Sequence, residues 1–218
     1  MIGEFDFDNE NTKLDISSFL LDWKDFSLSG VPKECPNDTK AMNSQLNWYA
    51  LRITYSRELA LKEYLDAEHI ENFIPMHYVY VMKGERKMRK LVPVVHNLVF
   101  VRTTRKQLDE IKEVKGAVLP IRYIMDRETH QPITIPKVQM RNFIAVAGNF
   151  DEQLIYLDPT CVNMAKGARV RITGGIFEGV EGEFIRIKGD RRVVVAIQGV
   201  MAVATAFIHP SLIELIEA

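Results

Sequence analysis

Between Trp48 and Ala147 the spacing of apolar and polar positions changes period several times, and each change predicts an element. Trp48-Tyr49-Ala50-Leu51-Arg52-Ile53 is rich in residues that favour a pleated strand. Ser56 is then placed to cap a helix carrying Leu61, Tyr64 and Leu65 on one face and ending near His69. The runs Phe73 to Met82 and Lys90 to Arg102 read as a long antiparallel pair, joined by the basic tip Lys83 to Arg89. Thr104 and Gln107 form a capping-box pair for a second helix, with Leu108, Ile111 and Val114 inward and Gly116 closing it. A strand from Val118 to Met125 leads through a turn to Pro136, which starts a third helix bearing Met140, Phe143, Ile144 and Ala147. The order βαββαβα predicts an α+β module, an antiparallel sheet with flanking helices.

After Gly148 the pattern shortens. Residues 148–165 read as a linker with one brief apolar stretch, Leu154 to Leu157. Beyond it Ala168, Val170 and Ile172 alternate with Arg169, Arg171 and Thr173. Glu183 to Ile187 and Arg192 to Ile197 flank a hairpin turn at Gly189-Asp190, and Ala202 to Ile208 supplies another strand. Short strands at close spacing, with no helical period between them, predict a small closed barrel over 166–218. Ahead of both modules, residues 1–46 form an extension. In it Ile16, Phe19, Leu20, Trp23 and Phe26 recur at helical spacing behind Asp15, which predicts an amphipathic docking helix. The expected organisation is therefore 1–46 extension, 47–147 first module, 148–165 linker and 166–218 second module.

The net charge of −1 conceals a gradient. Residues 1–46 hold 4 basic and 9 acidic side chains, 47–158 hold 17 and 14, and 159–218 hold 7 and 6. A mildly basic body behind an acidic segment fits a protein that touches nucleic acid while a protein partner holds it. Cys35 and Cys161 have no CxxC partner, and His69, His77, His96, His130 and His209 show no ligand spacing, so neither a disulfide framework nor a metal site is expected. There is neither a GxSxG elbow nor a paired Cys/His constellation, so no enzyme and no cofactor are expected. The N-terminal Met-Ile-Gly-Glu-Phe-Asp is acidic and no apolar run is long enough for a membrane span, which places the expected protein in the cytoplasm.

Lys166-Gly-Ala-Arg-Val-Arg-Ile-Thr-Gly-Gly-Ile-Phe-Glu-Gly-Val-Glu-Gly-Glu-Phe resembles a KOW motif. Gly174, Gly175, Gly179 and Gly182 would permit tight corners, and Phe177 would plug the barrel. Ahead of it, Trp48-Tyr49-Ala-Leu-Arg, a helix, Phe73-Ile-Pro75, a basic hairpin tip and the strand Leu98-Val-Phe-Val101 resemble the NusG N-terminal domain in order and spacing. Val95-His96-Asn97-Leu98 departs from the Phe-Pro-Gly-Tyr run of the general factor. Gln198-Gly199-Val200-Met201-Ala202-Val203 departs from its Phe-Gly-Arg segment. With the long extension, these departures make the chain similar to specialised NusG paralogues, in particular the UpxY-type antiterminators of capsular polysaccharide operons.

The resemblance implies a transcription regulator whose N-terminal domain sits on the RNA polymerase clamp helices and suppresses pausing. It carries the polymerase-binding apolar face onto Val95, Leu98 and Phe100. Since a strand alternates its faces, Val99 and Val101 would point the other way. It carries contacts with non-template DNA, or transiently nascent RNA, onto Arg57 and Lys115, whose cations suit phosphate and guanine edges. Tyr55 beside them could stack an unpaired base. The basic hairpin tip suits duplex phosphate as well as plain solvation. A KOW module could in addition meet a ribosomal or regulatory protein. A ribosome-associated RNA-binding KOW protein and a non-catalytic adaptor are the competing classes; the first would be expected to carry a much more basic body.

Overall fold

The computed structural model describes residues 45–158 and 167–216. The expected helix of the extension, both cysteines and Lys166 of the glycine-rich motif lie outside them. Strand β1 (Asn47–Ile53) is the centre of the first sheet. It pairs antiparallel with β5 (Leu98–Thr103), β6 (Ile121–Tyr123) and β7 (Thr134–Ile135), while β2 (Asn72–Phe73) extends β5. In register, Ala50 faces Phe100 and Leu51 faces Val99. This α+β architecture, with helices on an antiparallel sheet, is the expected class for the first module.

Both faces of that sheet are buried. Tyr49, Leu51, Ile53, Val99 and Val101 form one core with Leu61 and Leu65 of helix α1 (Glu58–Ala67) and Leu108 and Ile111 of α2 (Arg105–Lys115). Trp48, Ala50, Leu98 and Phe100 point the other way and meet Met140, Phe143 and Val146 of α3 (Lys137–Ala147). The Phe100 and Phe143 rings meet edge-to-face at 5.7 Å between centroids, a favoured aromatic geometry.

The expected long hairpin is divided. β3 (Met76–Lys83) and β4 (Arg86–Pro93) form a separate two-stranded sheet, and β5 starts only after the break at 94–97. Asn97 sits at φ 66°, a left-handed conformation that ends a strand and that Asn tolerates better than most residues. The hairpin tip is two residues, Gly84-Glu85, so the basic side chains lie on strands and not in a loop.

The strands of the second sheet are β8 (Ile155–Leu157), β9 (Ala168–Ile172), β10 (Glu181–Ile187), β11 (Asp190–Ile197), β12 (Met201–Ala204) and β13 (Ile213–Leu215). They run in the order β13-β9-β10-β11-β12-β8, all antiparallel. β8 comes from the stretch read as a linker, and β13 was not foreseen. The β10–β11 turn is Lys188-Gly189, one residue earlier than expected, with φ 52° and 93° as a tight hairpin requires. Phe177 is buried as anticipated. Of the four motif glycines, Gly175 and Gly179 take positive φ. Gly182 serves close approach instead, since a Cβ there would lie 2.5 Å from the Val194 carbonyl oxygen.

One core joins the two sheets. α3 lies against β1 and also against β11 and β12. Val170, Ile172, Val193, Val195, Met201 and Val203 belong to the same apolar cluster as Leu98 and Phe100.

Candidate functional site

The loop after β1 is built from residues that seldom leave the right-handed or extended regions. Tyr55 has φ 63° and Ser56 φ 51°. Two consecutive left-handed residues without glycine cost on the order of 1 kcal/mol each and persist only where neighbours hold them. Asn97 is that neighbour. Its side-chain oxygen accepts from the Ser56 amide at 2.9 Å, and its carbonyl accepts from the Ile53 amide at 3.0 Å. The bond to Asn97 uses the Ser56 amide, and Ser56 does not cap α1, whose N-cap position is Arg57 with no side-chain cap hydrogen bond.

Arg57 reaches in the opposite direction and donates from its guanidinium to the Val118 carbonyl, beyond the end of α2. The Val118 amide donates in turn to the Lys115 carbonyl at 2.9 Å. The Lys115 ammonium sits 4.7 Å over the Tyr64 ring of α1, a cation–π arrangement that holds the charge near the surface. Thus Arg57 and Lys115, far apart in sequence, stand on segments joined by a hydrogen bond. Around them Tyr55 is 81% exposed, Val114 73% and Val118 63%. An exposed tyrosine beside two cations offers phosphate and base contacts at once.

The loop before β5 joins this surface through Asn97. Val95 is exposed there. His96 Nδ1 lies 3.3 Å from Oε1 of Glu58, a side chain buried at the start of α1 whose second oxygen has no partner among the described residues. Leu98 and Phe100 sit differently from an open binding face. Both are buried, Phe100 completely, in the core shared with α3 and the second sheet. The alternation of β5 is as expected, but each of its faces already has a cover.

Asn97, Val118 and Glu58 were missed by sequence reasoning. Only the Asn before an apolar strand carried a signal, that of a left-handed turn. Also on α2, Arg105 and Lys112 approach the Tyr123 ring at 4.1 and 4.2 Å. Tyr123 donates to Asp109 at 2.8 Å. Burial pushes the Asp109 carboxyl up, yet the hydrogen bonds from Arg105 and Tyr123 and the nearby cations outweigh it and hold the group below its ordinary value. Among the described residues there is no group of three or more His, Cys, Asp or Glu that could hold a metal ion, and no helix long and apolar enough to cross a membrane.

No curated protein matches the chain. Residues 46–144 match the family described as Transcription termination factor nusG. The matched segment runs from β1 into α3 and so contains the whole surface around Asn97, and the match supports membership of the NusG family.

Proposed function

We propose that this chain is a cytoplasmic transcription elongation regulator that binds RNA polymerase and acts as a processive antiterminator for a specific operon class, such as capsular polysaccharide synthesis. The NusG-type match over 46–144 carries the reading at the level of transcription elongation or termination. The UpxY-like departures and the glycine-rich motif of the second sheet, taken as a KOW module of SH3-like type, support the finer assignment. No catalytic step is required, because a clamp-binding protein acts by favouring one state of its partner.

In this reading Val95 is the exposed member of the polymerase-binding face, and Leu98 and Phe100 are its buried continuation. Clamp helices would reach those two only after α3 or the second sheet gives way. Tyr55, Arg57 and Lys115 contact the non-template strand. The hydrogen bonds of Asn97 to the Tyr55 loop and of Arg57 to Val118 support this grouping, because they hold the three residues on adjoining segments.

The test is capture of purified RNA polymerase by the full chain, followed by a single-round pausing and read-through assay. Capture with increased read-through is expected. Val95→Asp should lose capture with an unchanged circular dichroism spectrum. Arg57→Ala and Lys115→Ala should weaken recruitment to a paused complex, the more so at low salt, while sparing isolated clamp helices. Failure of the wild-type chain to bind polymerase would overturn the proposal.

A further inference from the structure

Strand β1 runs through the centre of the first sheet, yet one of its side chains is open to solvent. From Trp48 to Ile53 only Arg52 is exposed. By strand alternation Arg52 shares a face with Trp48 and Ala50, which are buried in the core shared with α3. The register places Arg122 of β6 directly opposite Arg52, and Arg122 is exposed as well. On its other side Arg52 faces Leu98 of β5. The row Leu98–Arg52–Arg122 therefore crosses three neighbouring strands where the cover over that face ends.

Neither arginine takes part in an ion pair among the described residues. Like charges directly opposed on adjacent strands, with Cβ atoms about 5 Å apart, weaken the pairing. A threonine at either position would suit the strand without that electrostatic cost. The sheet thus gains nothing from this pair by itself, and an anion held between the two guanidiniums would relieve the repulsion. Each guanidinium presents a rigid planar fork of donors, a geometry that matches a carboxylate through two parallel hydrogen bonds.

We propose that Arg52 and Arg122 form a carboxylate-binding pair that docks an acidic segment of the protein partner beside the apolar face at Val95. The inference deepens the polymerase reading and rests on it, since it names the chemistry that holds the partner in register. A protein carboxylate is the occupant chosen because apolar side chains border the pair. Leu98 continues the row, Ile124 follows Arg122 against the shared core, and exposed Val95 lies in the loop that leads into Leu98. An apolar patch with arginine at its edge is the composition of a protein interface. Two cations neutralise only two phosphates, too few to hold a polyanion firmly. The pair also supplies what apolar contact lacks: it selects orientation, because a cation of the partner at the same place is repelled.

The experiment measures the affinity of the full chain for purified RNA polymerase over a salt series, for the wild type, Arg122→Glu, R52Q/R122Q and R52K/R122K, with a thermal melt of each. Arg122→Glu removes the repulsion and should melt no lower than the wild type, while its affinity for polymerase falls on the order of tenfold. R52Q/R122Q should lose a similar factor and flatten the dependence on salt, and it decides the matter if Arg122→Glu proves unstable. R52K/R122K keeps the charge without the fork and should lose less. Undiminished stability together with weaker capture is a signature that a purely structural role does not give. If the wild type binds polymerase and the variants bind it equally well, this inference is overturned and the polymerase reading stands. Loss of binding to a labelled random-sequence duplex with polymerase capture intact also overturns it, because the pair is then a phosphate contact. A wild-type chain that does not bind polymerase overturns the reading and this inference together.

Discussion

Phe100 is fully buried against Phe143, so its contribution is one of packing before it is one of recognition. Phe100→Ala should cost about 3–5 kcal/mol, read by urea denaturation, because the cavity left by an aromatic ring cannot fully collapse. Leu98→Asp places an unpaired carboxylate in the same core and should unfold the chain, which makes Val95→Asp the informative test of the polymerase face. Tyr156 offers the opposite case. Its hydroxyl is buried without a partner among the described residues, and burial pushes the phenol up to about 12. Below pH 10 the phenol is protonated whether the chain is folded or not, so its ionisation adds nothing there. Between about 10 and 12 the unfolded chain loses the proton first, and stability falls as pH rises. Tyr156→Phe should flatten that alkaline decline in thermal melts. At neutral pH it should raise stability by about 1 kcal/mol, since an unsatisfied hydroxyl is removed.

At the level of elements, α2 shows how local chemistry fixes a boundary. The Thr104 hydroxyl accepts from the Gln107 amide at 3.2 Å, the expected cap. The Gln107 side chain does not return to the cap residue; its oxygen accepts instead from the Thr103 hydroxyl at 2.6 Å. Half of the reciprocal box is thus redirected to the preceding strand. Thr104→Ala should cost about 1 kcal/mol by chemical denaturation. The Asp109 cluster ties the same helix to β6. Tyr123→Phe should move the Asp109 carboxyl back up toward its ordinary value, measurable by NMR titration. The small stability linked to that group is present above its unfolded pKa and lost as pH falls through the depressed folded one. With Asp109 about half exposed, solvent screening keeps this contribution small.

For the molecule as a whole, the decisive feature is the core that continues from β1 and β5 through α3 to β11 and β12. Elements sharing one apolar cluster gain little by unfolding separately, because each would expose the surface of the other. Urea unfolding of the full chain should therefore appear as one transition, with tryptophan fluorescence and far-ultraviolet circular dichroism coincident. Trp48 lies in that cluster and reports on it directly. Two separated transitions would show that the shared core does not couple the sheets.

The sequence by itself determined those elements whose signal is local. The strands β1, β5, β9 and β11, the helical faces of α1 and α3, Leu108 and Ile111 on α2, the Thr104 cap and the burial of Phe177 all follow from the order of side chains along a short stretch, whereas Val114, expected inward on α2, is exposed. It also yielded Arg57 and Lys115 as candidates through resemblance, and Tyr55 through the stacking chemistry of an aromatic ring beside them. Tertiary structure decided what depends on distant partners. The short strands β2, β7, β8 and β13 have two or three residues each, too few to show a period, and exist because an edge was available to pair with. The hydrogen bond of Ser56 to Asn97, rather than a cap on α1, and the bond of Arg57 to Val118 required the loops to be brought together first. Whether Leu98 and Phe100 form a surface or a core was equally beyond the pattern, because alternation says which residues share a face and not what covers it. Here α3 and the second sheet cover that face, since burying it removes from water more apolar area than either element could hide alone.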